Sequence, residues 1–423
     1  MGYIFGTGEG NNYVINENGY VTWKTGADAA ALAQKALAYA NNTSNNISND
    51  GNKTVAEGEN SVTFDNLSLG YYLVESSVGA LCGLTTTDNE VTITEKNGVP
   101  SVEKGVSDGN TYTKTNYANI GDEVTFQITI DVKKGAQKYV LHDEMSEGFK
   151  LKTPMNNVVN STLQIYASDN ADSPTFYDTL IETTHYTLTT TERSFTVTFK
   201  DEYLKTHENV DYKIVVSYIA ILTGDATIGN SGNTNNAWLT YGDNSTKSNE
   251  SETKTYTFGI PVFKYTGTNT ALEGAKFSLY SDAECNSIIE LIKSGTGETY
   301  RRFITGYDND SKVTEITTTS NGEFNITGLK PGIYYLKEIE APKGYNKLNN
   351  AITVKIEEAA DGGASITLYQ NSAKVDKIKV ENKSGSLLPS TGGMGTTVIY
   401  IVGALLVLIS GVVLITKKRA DLK

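Results

Sequence analysis

At 423 residues the chain has room for roughly two to four domains of ordinary size. A formal net charge of −13 and a pI near 4.9 leave no basic surface for nucleic acid. Three histidines, His142, His185 and His207, are too scattered for a metal site, and the distant pair Cys82 and Cys285 does not make a disulfide framework.

In chain order, the first predicted element is a helix in "ADAAALAQKALAYA" (27–40), where alanines and leucines fall at helical spacing. From there on, short alternating runs separated by turn residues dominate: "VTFQITI", "FTVTFK", "YKIVVSYIAIL", "EFNITGL" and "AITVKI". That pattern predicts an all-β chain of tandem β-sandwiches. Turn-rich breaks divide it into units at 1–98, 99–255 and 256–383, followed by a tail at 384–423. No nucleophile elbow, metal-ligand cluster or phosphate-cradling glycine loop is present, so the chain is not expected to be an enzyme or to need a cofactor.

Side chains alternate between the two faces of a strand, which makes parity informative. In "LSLGYYLVESSVG", Glu75 is in register with Tyr71 and Leu73. In "EVTITEKNGVP", Val91 and Ile93 are expected inward, so Thr92, Thr94 and Lys96 face out at the seam between the first two units. Lys104 of "PSVEKGV" shares the face of Val102 and Val106, and Asp143 of "KYVLHDEMSEGF" that of Leu141 and Met145. In "NTNNAWLTYGDN", Asn235 aligns with Ala237 and Leu239, whereas Asn236 points the other way. The third unit repeats the pattern. Lys264 of "IPVFKYTG" aligns with Ile260 and Val262, Glu338 of "YYLKEIEAP" with Tyr334 and Leu336, and Asn382 of "DKIKVENKSG" with Ile378 and Val380.

Each of these two units therefore directs a lysine, an acid and an asparagine toward its apolar interior. Burial lowers the pKa of an ammonium and raises that of a carboxyl. A neutral amine is a nucleophile, and a protonated acid polarises a carboxamide. Held together, the groups are expected to condense into Lys264–Asn382 and Lys104–Asn235 isopeptide bonds, promoted by Glu338 and Asp143, each tying a first strand to a last. By analogy with disulfide loop closure, such a bond is worth on the order of 4 kcal/mol against unfolding.

At the C-terminus, "VIYIVGALLVLISGVVLI" (Val398–Ile415) carries no charge and is followed by Lys417, Lys418 and Arg419, as expected of a transmembrane helix with a cytoplasmic anchor. An exported segment needs a signal peptide, and "MGYIFGTGEG" is not one, so the natural N-terminus is expected to lie upstream. Just before the apolar span stands Leu388-Pro389-Ser390-Thr391-Gly392. The ordered set of pentapeptide, apolar span and basic tail resembles the cell-wall sorting signal of Gram-positive surface proteins. That resemblance implies sortase cleavage between Thr391 and Gly392, with transfer of the Thr391 carbonyl to an amine.

Two further stretches, "YTGTNTALEGAKFSLY" and "PGIYYLKEIEAPKGYNKL", resemble a collagen-adhesin B-type (Cna-B) domain, an immunoglobulin-like sandwich in which Lys264, Glu338 and Asn382 would hold the three cross-linking roles. The second unit resembles the middle domain of sortase-assembled backbone pilins, and "GYIFGTGEGNNYVINENGYVTWKTGADAAALAQKALAYA" resembles pilin N-terminal domains from partway through. "TEKN" is similar to the pilin-motif segment Tyr-Pro-Lys-Asn, with Thr94 and Glu95 in place of the aromatic and the proline. The resemblance implies an elongated row of sandwiches on a Gram-positive cell wall, in which a class C pilin sortase joins Thr391 to Lys96 of the next subunit. A housekeeping sortase would then attach the fibre to peptidoglycan, with host matrix or cell-surface ligands as further partners. A non-polymerising adhesin or ancillary pilin would carry the same sorting signal without using Lys96.

Overall fold

The computed structural model describes residues 8–420 apart from 19, 57–58, 60, 69–71, 77–78, 84–89, 91, 94–97, 153–161, 169–178, 208–209, 211, 243–245, 296, 310, 359–364 and 386–393. Strand is the main regular structure among the described residues. Packing divides it into two compact units, Met1–Phe258 with Gly328–Lys330, and Gly259–Thr327 with Pro331–Lys423.

The first unit opens with an antiparallel hairpin of β1 (Val14–Glu17) and β2 (Tyr20–Trp23). The expected helix follows as α1 (Ala29–Ala40), capped where the Asp28 carboxylate accepts the N–H of Ala31 at 2.9 Å. Leu32, Ala33 and Ala36 form its buried stripe. A second hairpin pairs β3 (Tyr72–Ser76) with β4 (Gly79–Gly83).

Residues 101–256 build a β-sandwich. Its strands are β5 (Ser101–Ser107), β6 (Tyr112–Thr113), β7 (Thr115–Tyr117), β8 (Glu123–Val132), β9 (Val140–Met145), β10 (Phe149–Leu151) and β11 (Leu163–Ser168). After them come β12 (Thr179–Leu180), β13 (Tyr186–Thr190), β14 (Ser194–Phe199), the short helix α2 (Asp201–Lys205), β15 (Tyr212–Leu222), β16 (Asn233–Tyr241), β17 (Thr246–Lys247) and β18 (Ser251–Tyr256). One sheet runs β12-β11-β15-β8-β5-β6, with β10 on β15. The other runs β13-β14-β9-β16-β18-β7, with β17 on β16. Strict alternation on β5, β9 and β16 buries every second side chain, and Phe126, Ile128, Val216, Tyr218 and Leu239 fill the space between the sheets.

The second compact unit is also a sandwich. Its strands are β19 (Phe258–Thr266), β20 (Thr270–Ala271), β21 (Lys276–Tyr280), β22 (Leu291–Lys293), β23 (Thr299–Arg302) and β24 (Ile316–Thr317). These are followed by β25 (Glu323–Leu329), β26 (Gly332–Glu340), β27 (Ile352–Glu358), β28 (Ile366–Gln370), β29 (Ala373–Val375) and β30 (Ile378–Glu381). One sheet is β20-β19-β25-β23-β22 with β30 on β19, and the other is β24-β21-β26-β27-β28-β29. β19 and β30 lie parallel and adjacent, with Lys264 opposite Val380.

The last element, α3 (Met394–Ala420), is one continuous helix. Val398–Ala420 has a mean hydropathy of 3.0 and none of it is buried against protein. At about 1.5 Å per residue its length matches the hydrocarbon core of a bilayer.

Candidate functional site

Two clusters of buried polar groups stand out. In the 101–256 sandwich, Lys104 on β5, Asp143 on β9 and Asn235 on β16 are at most 2 % exposed. The lysine comes from one sheet and the other two residues from the opposite sheet, so the groups meet in the middle of the core. Lys104 Nζ donates to Asp143 Oδ2 and, at 2.6 Å, to Asn235 Oδ1. The rings of Phe126 and Tyr218 lie 5.4 and 5.3 Å from the nitrogen and help exclude water. Burial pushes the Lys104 amine down to about 8 against the pull of the neighbouring Asp143 carboxylate. Burial also raises the Asp143 carboxyl, although Lys104 opposes it. Both directions favour a neutral amine beside a neutral acid.

In the second sandwich, Lys264 on β19, Glu338 on β26 and Asn382, just past the end of β30, are likewise at most 1 % exposed. Lys264 Nζ lies 3.2 Å from Glu338 Oε1 and donates to the Val380 carbonyl at 3.3 Å. Glu338 Oε2 accepts from Asn382 Nδ2 at 3.0 Å and from the Leu348 N–H at 2.8 Å, which fixes the carboxylate plane. One carboxylate therefore spans the amine and the carboxamide nitrogen. Asn382 Oδ1 is buried with no hydrogen-bond partner, a cost of roughly 1–3 kcal/mol to the unlinked arrangement. Burial lowers the Lys264 amine against the opposing pull of Glu338.

All six residues picked by parity are thus gathered into two triads. Asn236 lies on the opposite, half-buried face of β16, as its position predicts. One detail of the expectation needs correcting. Asn235 is not on the last strand of its sandwich: β17 and β18 follow it, and β18 inserts between β16 and β7. Of the two lysine–asparagine pairs, Lys264 and Asn382 are the one placed on a first strand and at the end of a last one.

Glu75 is exposed on β3, so it lacks the burial that a promoting acid needs. Ile93 is 36 % exposed and residues 92–93 form no strand, so the alternation used to turn Lys96 outward does not operate there. Lys96 itself lies outside the described residues, as do Leu388, Pro389, Ser390, Thr391 and Gly392.

Sequence reasoning missed one member of the middle cluster. The Tyr218 hydroxyl on β15 contacts all three residues of the triad. A buried tyrosine hydroxyl usually finds a partner, and that is the only signal that could have drawn attention to it.

Residues 260–372 match the family model described as SpaA, a prealbumin-like fold domain. Over 277 residues the chain is 25 % identical to the trypsin-resistant surface T6 protein of Streptococcus pyogenes serotype M6, a match covering 59 % of this chain and 44 % of that protein. The match thus spans less than half of this relative. The solved T6 backbone pilin of the same serotype shares the fold, with TM-score 0.51 and 17 % identity over 88 % of this chain and 95 % of that one. The group B streptococcus pilus 2b backbone protein aligns at 24 % identity over 68 % of this chain and 99 % of its own, with TM-score 0.48. The resemblance to backbone pilins of Gram-positive bacteria, and the all-β fold it implies, are borne out.

Proposed function

We propose that the chain is the structural subunit of a covalently polymerised pilus on a Gram-positive cell surface, stiffened by internal Lys104–Asn235 and Lys264–Asn382 bonds. The observation that carries this is the pair of dry clusters, each holding one amine, one acid and one carboxamide. A protein that needed only a stable core would fill these positions with apolar side chains at less cost, since an ion pair buried for stability alone rarely recovers its desolvation.

The chemistry follows from the second cluster. Lys264 passes a proton to Glu338 Oε1, and the neutral amine attacks Cγ of Asn382. Glu338, whose Oε2 lies 3.0 Å from Nδ2, gives that proton to the departing nitrogen, the C–N bond breaks and ammonia leaves, and the new amide nitrogen sheds its extra proton to Glu338, which ends as the neutral acid. Holding the groups in contact removes most of the entropic barrier, so no other enzyme is required. Each event happens once, without turnover, and needs no cofactor.

On this proposal the three units divide near residues 98 and 255, and α3 holds the precursor in the membrane while a class C pilin sortase acts on Leu388–Gly392. The Thr391 carbonyl is joined to Lys96 of a neighbouring subunit, and head-to-tail joining of unlike surfaces yields an open filament. A housekeeping sortase then transfers the same carbonyl to peptidoglycan. The support is the pilin-like sequence and fold together with the order of pentapeptide, apolar helix and basic tail. Intact mass of the purified chain tests the internal bonds: a deficit of about 34 Da, two ammonia molecules, is expected. A chain at full mass would reject the cross-links, and pilus preparations without a high-mass ladder would reject polymerisation.

A further inference from the structure

We propose that Tyr218 is a catalytic residue of the Lys104–Asn235 condensation, relaying to the departing carboxamide nitrogen the proton that Asp143 takes from the amine. This rests on the reading that the Lys104–Asn235 bond forms. The two clusters differ in one respect that calls for such a part. Glu338 touches both the amine and the carboxamide nitrogen of its triad. Asp143 is one methylene shorter, and no hydrogen bond joins it to Asn235.

Tyr218 fills that gap. Its hydroxyl donates to Asp143, 2.9 Å from Oδ2 and 3.0 Å from Oδ1, and accepts from Asn235 Nδ2 at 2.7 Å and from Lys104 Nζ at 2.8 Å. A phenol has one proton to give and two lone pairs to accept with, and all three are in use. The ring is held by Phe126, stacked at 5.3 Å, and by Phe195, edge-on at 4.9 Å, so the oxygen has one place to be. Burial and the Asp143 charge raise the phenol well above its ordinary pKa, which suits a group that gives up a proton only while receiving another.

The steps balance. The Lys104 ammonium gives one proton to Asp143, and the neutral amine adds to Cγ of Asn235. Tyr218 then passes its proton to Nδ2 as Asp143 re-protonates the phenol, and the C–N bond breaks to release ammonia. The new amide nitrogen sheds its extra proton to Asp143, which ends as the neutral acid. Lysine and aspartate began with opposite charges and finish uncharged, with Tyr218 unchanged.

The test follows both bonds in one molecule. The full chain is synthesised in a cell-free system and quenched into denaturant at intervals. Each link is then quantified by intact mass and by mapping the joined peptides. In Tyr218→Phe the Lys104–Asn235 link is expected to form at least about 10²-fold more slowly, the size of a general acid–base contribution, while Lys264–Asn382 keeps its wild-type rate as an internal clock. Trp238 fluorescence reports whether β16 has folded. If it has not, site-specific fluorotyrosine at position 218, which keeps the hydroxyl and makes it more acidic, replaces the phenylalanine variant. There a changed rate and a shifted pH profile are expected, whereas a merely positioning hydroxyl would leave both unmoved. Equal rates in the wild type and the Tyr218→Phe variant, or an unmoved profile with fluorotyrosine, overturn the relay and leave the cross-link standing. Absence of the Lys104–Asn235 peptide from the wild type overturns both.

Discussion

Replacing Glu338 by Gln retains the shape of the side chain and removes the one group that touches both Lys264 Nζ and Asn382 Nδ2. A carboxamide cannot take the proton from the amine, so the Lys264–Asn382 bond should not form, while the Lys104–Asn235 bond, made by separate groups, should. The mass deficit then halves to about 17 Da. The stability change can be estimated from chain entropy: closing a loop of a little over a hundred residues restricts the unfolded chain by about 5 kcal/mol on the disulfide scale. For a sandwich of this size each kcal/mol moves the melting temperature by about 4 °C, so its transition should fall by about 20 °C. Peptide mapping and differential scanning calorimetry on the same preparation read the two effects. A Glu338→Gln variant that still contains the joined Lys264–Asn382 peptide would refute the proton-transfer role. A variant that has lost the bond yet melts within a few degrees of wild type would refute the loop-closure account.

Asn235→Ala should remove one ammonia loss and Asn236→Ala none, because only the former side chain enters the sandwich; intact mass decides between them. The Asn235→Ala chain should also show a pH dependence absent from the wild type. Its surviving Lys104 amine is held at about 8 when folded against 10.5 when free, so between those values the unfolded chain binds the extra proton and stability rises with pH. Urea titrations at about pH 8 and pH 10 measure it, and a destabilisation relative to wild type that grows over that interval would contradict the burial argument. Lys96→Ala should abolish the polymer ladder on immunoblots of cell-wall extracts while leaving monomer attached to the wall. A persistent ladder would move the acceptor role to another lysine.

Much of this was legible because a β-strand has a period of two and both sandwiches obey it. On β5, β9, β16, β19 and β26 the polar member of each triad sits among buried neighbours at alternate positions, so parity alone separates Asn235 from Asn236. What parity cannot supply is which strands become neighbours. The placement of Asn235 on a strand that is not the last of its sandwich depends on β18 inserting between β16 and β7, a long-range choice with no local signal. Tyr218 escaped notice for a related reason. Within "YKIVVSYIAIL" it is one of several apolar residues on the inward face, and its hydroxyl becomes chemical only when β15 is packed across from β9 and β16. The inward reading of Ile93 failed for the opposite reason, since residues 92–93 are not in a strand and alternation has no meaning there.

The two proposed links would not stiffen their sandwiches in the same way. Lys264 lies on β19 and Asn382 just past the end of its parallel neighbour β30, at the start and the end of their domain, so a pull on the two ends would reach the proposed bond almost at once. Lys104 and Asn235 join one sheet to the other, and the chain beyond Asn235 still has to pass through β17 and β18 before leaving the sandwich. What secures that stretch is non-covalent: Thr253, Thr255 and Tyr256 are buried, and hydrogen bonds tie the strand on either side. β18 pairs with β16 and β7, Ser251 Oγ accepts the N–H of Lys104 at 2.8 Å, and Asn249 clips both backbone groups of Val102 at 2.7 and 3.1 Å. Side chains of this kind contribute about 1 kcal/mol each, against a covalent bond that thermal forces do not break. The physical distinction is therefore between a domain whose two ends the proposed bond joins directly and one whose exit strand is held by non-covalent pairing and packing, and it follows from where a single asparagine sits in the strand order.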